Sequence, residues 1–165
     1  MLLAIDVHYR DAFAKAVGVL FNWDSNRPEQ IIIDNITGVE EYVPGEFYKR
    51  ELPCLLKIIE QVKTDDLEAI IIDGYIYVDN NGSLGLGGIL YETLNKSVPV
   101  IGVAKTSFLK NKETVTALLR GESKNPLYIS VIGYPIEAAV EKIKNMKGEF
   151  RIPAILKELD RITKE

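Results

Sequence analysis

The sequence is poor in the residues that cross-link or anchor proteins outside the cytoplasm. It has a single cysteine, Cys54, in 165 residues, which excludes an internal disulfide and favours a reducing, cytoplasmic compartment. No apolar run reaches the roughly 20 residues that a membrane-spanning helix needs. The segment from Met1 to Val7 is short and has no basic residue, so no signal peptide is expected.

The sequence also has no excess of positively charged residues. Lys and Arg together number 20, Asp and Glu number 24, and the net charge is −4. This balance argues against nucleic-acid binding by bulk attraction, so any contact with nucleic acid has to be local or bridged by metal ions. With 47% hydrophobic residues, the chain is expected to form one globular domain over residues 1–165.

The apolar pattern predicts an α/β fold with a mixed sheet. Three partly alternating stretches open the chain and predict an antiparallel three-strand meander. Buried strands then alternate with helical patterns, which predicts parallel crossover units and three layers. The predicted strands are 1–6, 13–23, 30–37, 70–73, 98–103 and 127–132, and the predicted helices are 46–62, 89–94, 114–119, 137–146 and 153–162.

Two aspartates end predicted buried strands. The run from Ala69 to Ile72 has no alternation, which is typical of a strand buried on both faces, and it ends in Asp73. The first strand ends likewise in Asp6. If these strands are parallel neighbours, the carboxylates face one another and repel unless a cation lies between them. With Glu51 in reach on a helix, hard oxygen ligands favour Mg²⁺ or Mn²⁺ over zinc. Turn capping is the alternative role.

Other candidate residues are less specific. Lys105 follows a predicted strand and could neutralise phosphate charge, or it could be a solvated loop lysine. His8, the one histidine, is expected to be a turn or surface residue. The glycine-rich stretch 82–88 matches neither the P-loop nor the dinucleotide spacing. The turn Tyr42-Val43-Pro44-Gly45 carries an aromatic that could stack on a base, or it could be an ordinary loop.

Taken together, these segments resemble the endonuclease V family, which nicks nucleic acid near deaminated adenine (inosine). The matching segments occur in family order over nearly the whole chain. They are Ile5-Asp6-Val7 with Tyr9, the 42–45 turn leading to Arg50-Glu51 and Pro53, Val-Pro-Val-Ile-Gly-Val-Ala-Lys at 98–105, Asn-Pro-Leu-Tyr-Ile-Ser at 125–130, and Met146-Lys147-Gly148 followed by Arg151-Ile152-Pro153.

The resemblance implies a ribonuclease H-like fold and a divalent-metal phosphodiesterase. It implies that Asp6, Glu51 and Asp73 hold Mg²⁺, with Mn²⁺ as a substitute, and that Asp160 completes the acidic cluster. Lys105 would contact the scissile phosphate or the attacking water. Tyr42, Val43, Pro44 and Gly45 would form the wedge that separates strands beside the lesion. The flipped base would lie in a pocket formed by Phe47, Gly74, Gly85, Leu86, Gly102 and Ala104.

Some positions depart from the family pattern. The helical segment that usually precedes the first strand is missing from this sequence, and a Tyr-Ile-Tyr-Val-Asp-Asn-Asn run at 75–81 replaces a basic loop. Ile76 stands where the family has a glycine in the base pocket. Glu41 replaces the proline before the wedge tyrosine, and Tyr134 replaces a histidine that follows the strand containing Ser130.

The leading hypothesis for the function is a Mg²⁺-dependent endonuclease acting at deoxyinosine or inosine, in DNA repair or in cleavage of inosine-containing RNA. The alternatives are a nuclease of altered base preference and a nucleic-acid-binding protein that does not cut.

Overall fold

The computed structural model describes residues 1–39, 44 and 47–165. Their centre is a mixed seven-stranded sheet with the order β3-β2-β1-β4-β5-β7-β6. The antiparallel meander predicted for the first three strands is confirmed, and β4 and β5 add to it in parallel. The strands are β1 (Leu2–Tyr9), β2 (Ala14–Phe21), β3 (Gln30–Ile36), β4 (Ala69–Asp73), β5 (Val100–Ala104), β6 (Thr116–Leu118) and β7 (Leu127–Ile132).

Four α-helices cover the two faces of the sheet. Apolar side chains of the first two helices pack on one face, in a core that contains Leu55, Ile58 and Leu90. The last two pack on the other face, in a core that contains Ile143 and Leu159. The three layers expected from the sequence are therefore present. The helices are α1 (Phe47–Ile59), α2 (Leu86–Thr93), α3 (Ile136–Lys144) and α4 (Ala154–Lys164).

Pairing within the sheet sets the positions of the two aspartates. β1 and β4 are parallel neighbours, with Ile5 opposite Ile72, so Asp6 and Asp73 follow side by side. The prediction that Asp6 ends its strand is wrong. The pairing with β4 stops at Ile5, but β1 continues to Tyr9 because β2 still pairs with it.

The helix predicted over 114–119 is also wrong. A 3₁₀ segment, Leu109–Thr114, occupies its start, and β6 follows it. In so short a segment the spacing of Val115, Leu118 and Leu119 cannot distinguish a helix from a strand. The outcome is decided by β7, whose Tyr128 lies opposite Ala117.

The first helix is shorter than predicted and continues through Pro53. Proline removes one backbone donor, yet the apolar side of α1 stays packed, with Cys54 wholly buried. This cysteine therefore has a packing role. Glu46, where the predicted helix begins, lies outside the described residues.

The glycine-rich stretch 82–88 is explained by close packing. A Cβ on Gly87 would lie 2.3 Å from Ile76 Cδ1, and one on Gly88 would lie 2.8 Å from the Ile76 carbonyl oxygen. Side chains at these positions would push the start of α2 away from the loop that follows β4. This stretch therefore joins α2 to the sheet.

Candidate active site

Asp6 and Asp73 project from the sheet on the side covered by α4. The backbone N–H of Val7 donates to Asp6 Oδ1 at 3.0 Å. The buried Thr163 hydroxyl lies 3.1 Å from Asp6 Oδ2 and 2.8 Å from the Asp160 carbonyl oxygen, so its single hydrogen can serve one of them at a time. The last helix thus reaches the first strand at this carboxylate.

Lys105 and Asp160 lie beside the two aspartates. Together with Asp6 and Asp73 they line a small cavity of about 40 Å³. Lys105 follows the last residue of β5, and Asp160 faces the cavity from α4, where it pairs with Lys164 at 3.0 Å. Three acids and one amine from four different elements therefore meet at one edge of the sheet.

Glu51 approaches the same place from α1, on the opposite side of the sheet. It lines a pocket of about 340 Å³ that also contains Asp6 and Asp73. Tyr9 and Arg50 form another part of the wall, with the guanidinium carbon 3.5 Å from the centre of the tyrosine ring. The Tyr9 hydroxyl is close enough to perturb the Glu51 pKa, although it makes no hydrogen bond of regular geometry within the described chain.

The electrostatics of this edge disfavour three ionised carboxylates. Burial raises the pKa of Glu51 to about 7, and repulsion from Asp6 and Asp73 adds to the rise. Burial also raises the pKa of Asp6 and of Asp73, whereas the Lys105 ammonium lowers both. The Asp73 side chain still reaches solvent on its outer side, so water screens part of this effect.

The donor set of Asp6, Glu51 and Asp73 fits a hard divalent cation. Carboxylate oxygens are the preferred ligands of Mg²⁺, and burial and mutual repulsion raise the pKa of all three carboxyl groups, an effect that a bound cation would offset. In the described chain, however, no three ligating side chains are arranged as a ready metal site. Glu51 comes from the opposite side of the sheet to Asp6 and Asp73, so side-chain rotation would be needed for all three to meet one ion.

A second pocket, of about 330 Å³, lies next to Asp73 and Lys105. Its wall contains Gly74, Gly85, Leu86 and Ala104, four of the residues predicted for a base pocket, together with Tyr75, Val78 and Thr106. Gly102, also predicted for the base pocket, is not among these wall residues. A Cβ there would lie 2.5 Å from the Gly74 carbonyl oxygen and 2.9 Å from Ser130 Oγ, so only glycine lets β5 approach the end of β4 so closely.

Comparison with known proteins decides the family. A family model described as endonuclease V matches residues 1–161. The chain belongs to the endonuclease V family. The members of this family are nucleases and depend on a metal ion in general. A comparison with curated protein sequences finds no match.

Solved endonuclease V structures share the fold. Human ENDOV is 22% identical, with 99% of this chain and 82% of that chain covered and a TM-score of 0.78. Endonuclease V from Bacillus subtilis is 18% identical, with 99% and 78% covered and a TM-score of 0.76. A Ciona intestinalis endonuclease V variant in complex with inosine-containing DNA is 15% identical, with 99% and 83% covered and a TM-score of 0.83. The ribonuclease H-like fold implied by the sequence resemblance is thereby confirmed.

Part of the wedge predicted from the endonuclease V resemblance lies outside the described residues. Of the predicted wedge residues Tyr42, Val43, Pro44 and Gly45, the structure describes Pro44, which is exposed. Phe47 begins α1, and nothing is described of its side chain.

No helix among the described residues is long and apolar enough to cross a membrane.

Ile76 does not obstruct the second pocket, contrary to what its position in the endonuclease V pattern suggested. Its side chain is wholly buried and packs in the core with Ile72, beside Gly87. Its backbone N–H donates to the buried Ser130 hydroxyl at 3.1 Å. Its neighbour Tyr75 lines the pocket instead, together with Val78 from the same loop.

Sequence reasoning assigned no role to Tyr75 or to Thr163. Thr163 could have been found from its spacing, because it lies three positions after Asp160 on one helix and such residues share a face. Tyr75 had no comparable signal, since its orientation depends on how the loop after β4 turns. Gly74, with a φ of +145°, starts that turn.

Proposed function

We propose that this protein is a Mg²⁺-dependent endonuclease that hydrolyses a phosphodiester bond near deoxyinosine or inosine. The observation that carries the proposal is the pair of parallel strands that sets Asp6 beside Asp73, with Glu51, Lys105 and Asp160 around them. A nucleic-acid-binding protein without catalysis would gain nothing from such clustered acids, which repel one another and resist burial.

In this proposal Asp6, Glu51 and Asp73 hold the metal ion, and Mn²⁺ can replace Mg²⁺. When bound, the ion supplies Lewis-acid stabilisation of phosphate charge and lowers the pKa of water. Lys105 places its ammonium beside the aspartates, where it balances charge on the scissile phosphate. Asp160 completes the acidic cluster. Thr163 keeps the Asp6 carboxylate in one orientation while the other groups act.

The substrate in this proposal is a strand whose inosine base leaves the stack and enters the second pocket. Two observations support it. The pocket lies beside Asp73 and Lys105, and Ciona intestinalis endonuclease V, which shares this fold, was solved with inosine-containing DNA. Flipping a base out costs a few kcal/mol, and less at a mispair, which helps to select the lesion.

The proposal also covers the wedge, the rest of the base pocket, the domain and the location of the protein. Tyr42, Val43, Pro44 and Gly45 act as the wedge, and Phe47 and Gly102 complete the base pocket. Residues 1–165 act as one domain. The single, buried cysteine is consistent with the reducing cytoplasm that we propose as its location.

A nuclease of the same family with relaxed base preference is the second candidate. It is favoured by the loop 75–81, which has one acidic residue and no basic one. It differs from the first candidate in cutting unmodified strands as well as those with inosine.

Cleavage of matched strands separates these functions. Single-stranded and duplex DNA and RNA, with and without one inosine, are incubated with the protein and Mg²⁺, and the products are sized. Cutting only near inosine supports the first candidate, and cutting of all strands supports the second. Binding without cutting would contradict both. Asp73→Asn should abolish cutting, whereas Asp65→Asn, an exposed carboxylate elsewhere, should leave it unchanged.

A further inference from the structure

We propose that Tyr75, backed by Phe108, forms an aromatic wall on which the extracted base stacks, and that this wall determines base-dependent binding. The inference rests on the proposed function and adds two residues to it. Tyr75 lines the pocket of about 330 Å³. The Phe108 ring lies against it, with centroids 6.0 Å apart and ring planes at 38°.

The wall is held in place before any ligand arrives. The Tyr75 hydroxyl donates to the Thr106 carbonyl. The wholly buried Asn111 donates from Nδ2 to the Tyr77 carbonyl at 2.8 Å, and the Glu113 N–H donates to Asn80 Oδ1 at 2.9 Å. These three bonds join the loop after β4 to the segment after β5. A wall fixed in this way loses little entropy when a base stacks on it.

The rim of the pocket is apolar where the family has a basic loop. Val78, which lines the pocket, is 42% exposed, and Phe108, which packs on Tyr75, is 39% exposed. The chain between Gly74 and Leu86 has no lysine or arginine. Exposed apolar side chains grouped at a pocket mouth mark a binding surface. This loop offers no cationic side chain to a phosphate, so stacking and apolar contact are the larger contributions that it can make.

The pocket and its wall fit a nucleobase. A volume of about 330 Å³ lies near the lower limit of small-ligand pockets, which span about 300–1,000 Å³, and a planar base offers a π-face to the Tyr75 ring. Stacking on an aromatic side chain changes affinity by about 5- to 150-fold per base. Because stacking releases no counterions, it does not contribute to the salt dependence of binding.

Binding of matched strands tests the wall directly. Single-stranded DNA with one deoxyinosine is compared with the same strand carrying an abasic site there, by fluorescence anisotropy in a chelator so that no cutting occurs. Tyr75→Leu should weaken binding of the inosine strand at least about 5-fold, leave the abasic strand unchanged and leave the slope with salt unchanged. Phe108→Ala should act in the same direction more weakly. Tyr75→Phe, which keeps the ring, should retain most of the preference.

The matched control is Leu119→Ala, which removes an exposed apolar side chain (59% exposed) just after β6 and should change neither Kd. Thermal melts of every variant show that the fold is kept, and Phe108→Ala tests the wall if Tyr75→Leu does not fold. An unchanged preference for inosine over the abasic strand in Tyr75→Leu and Phe108→Ala overturns the inference, as does a wild type without that preference.

Failure of the proposed function gives a different result. If the wild type prefers inosine through Tyr75 but cuts no strand with Mg²⁺, the cleavage proposal fails and the aromatic wall stands. If the wild type cuts beside inosine and Tyr75→Leu keeps its preference, the wall alone is wrong.

Discussion

The acidic cluster (Asp6, Glu51, Asp73 and Asp160) and the aromatic wall (Tyr75 and Phe108) meet at the end of β4 but are built in different ways. Strands and helices fix the backbone of every member of the acidic cluster. The aromatic wall stands on loop residues that three hydrogen bonds join together. In our proposal, the chemistry, which depends on atomic positions, therefore rests on the sheet and its helices, and base recognition rests on loop segments that can vary without disturbing the acidic cluster.

After loss of the metal-holding carboxylates, the substitution expected to have the largest effect is Lys105→Met. Losing the ammonium beside Asp6 and Asp73 removes charge stabilisation from the reacting phosphate, so the cleavage rate at saturating substrate should fall about 10²-fold or more. Single-turnover cleavage measures this, and Lys110→Met, a nearby exposed lysine, should leave the rate almost unchanged. Equal losses in both variants would show that the lysines act through general attraction alone.

Gly102→Ala should disturb both regions at once. The new Cβ would lie 2.5 Å from the Gly74 carbonyl oxygen, and a backbone atom cannot move aside cheaply. We expect a loss of about 1–3 kcal/mol in the free energy of unfolding, measured in urea, together with slower cleavage. Val100→Ala in the same strand should also destabilise the fold through a lost side chain yet keep the cleavage rate. Wild-type activity in Gly102→Ala would show that cleavage does not depend on the close approach of β5 to the end of β4.

The acidic cluster should also make stability depend on pH when metal is removed. The pKa of Glu51 is raised from 4.5 to about 7, so the folded state binds this proton more tightly than the unfolded state. The resulting stabilisation is complete below pH 4.5 and is lost as the pH rises through about 7. Asp6 and Asp73 act in the same direction.

In EDTA, the Tm should therefore fall between pH 5 and pH 8, by about 2–4 °C for each kcal/mol lost. Glu51→Gln should make this fall smaller, and Glu60→Gln, an exposed carboxylate on the turn after α1, should not. Added Mg²⁺ should restore Tm at pH 8 in the wild type more than in Glu51→Gln. A wild-type Tm that does not change with pH would contradict the raised pKa.

Asn111→Ala should have the smallest effect of these substitutions, and the effect should be limited to binding at the aromatic wall. It removes the hydrogen bond to the Tyr77 carbonyl, which is worth about 1 kcal/mol. The Asn111 Oδ1 has no partner in the described chain, so nothing is lost there. We expect a few-fold weaker preference for the inosine strand over the abasic one, with the cleavage rate at saturation unchanged. A large fall in that rate would mean that the two regions are not independent.

The acidic cluster was more predictable than the aromatic wall, for a physical reason. Asp73 ends an unbroken apolar run, and such a run determines both a buried strand and the edge at which its polar end lies. The parallel pairing of β1 with β4 was only a condition at the level of the sequence, and the structure meets it. The direction from which Glu51 approaches was not predictable, because it depends on how α1 packs on the sheet.

Loop orientation and strand partners caused the errors. Ile76 was expected in the base pocket, but the turn at Gly74 directs it into the core and leaves Tyr75 facing the pocket. The helix predicted at 114–119 is instead an edge strand, because β7 offers a partner that is distant in sequence. Neither outcome is encoded in local periodicity.

The contact between Thr163 and Asp6 joins residues 157 positions apart, and this has a consequence for biosynthesis. Translation supplies Asp6 long before the groups from α4, so the Asp6 carboxylate is oriented only after α4 has been made and has packed on β1. Contacts of such long range form slowly. The acidic cluster is therefore completed late in folding, and a chain still emerging from the ribosome carries an unfinished cutting site. Pulsed hydrogen exchange during refolding should show β1 and β4 protected before α4.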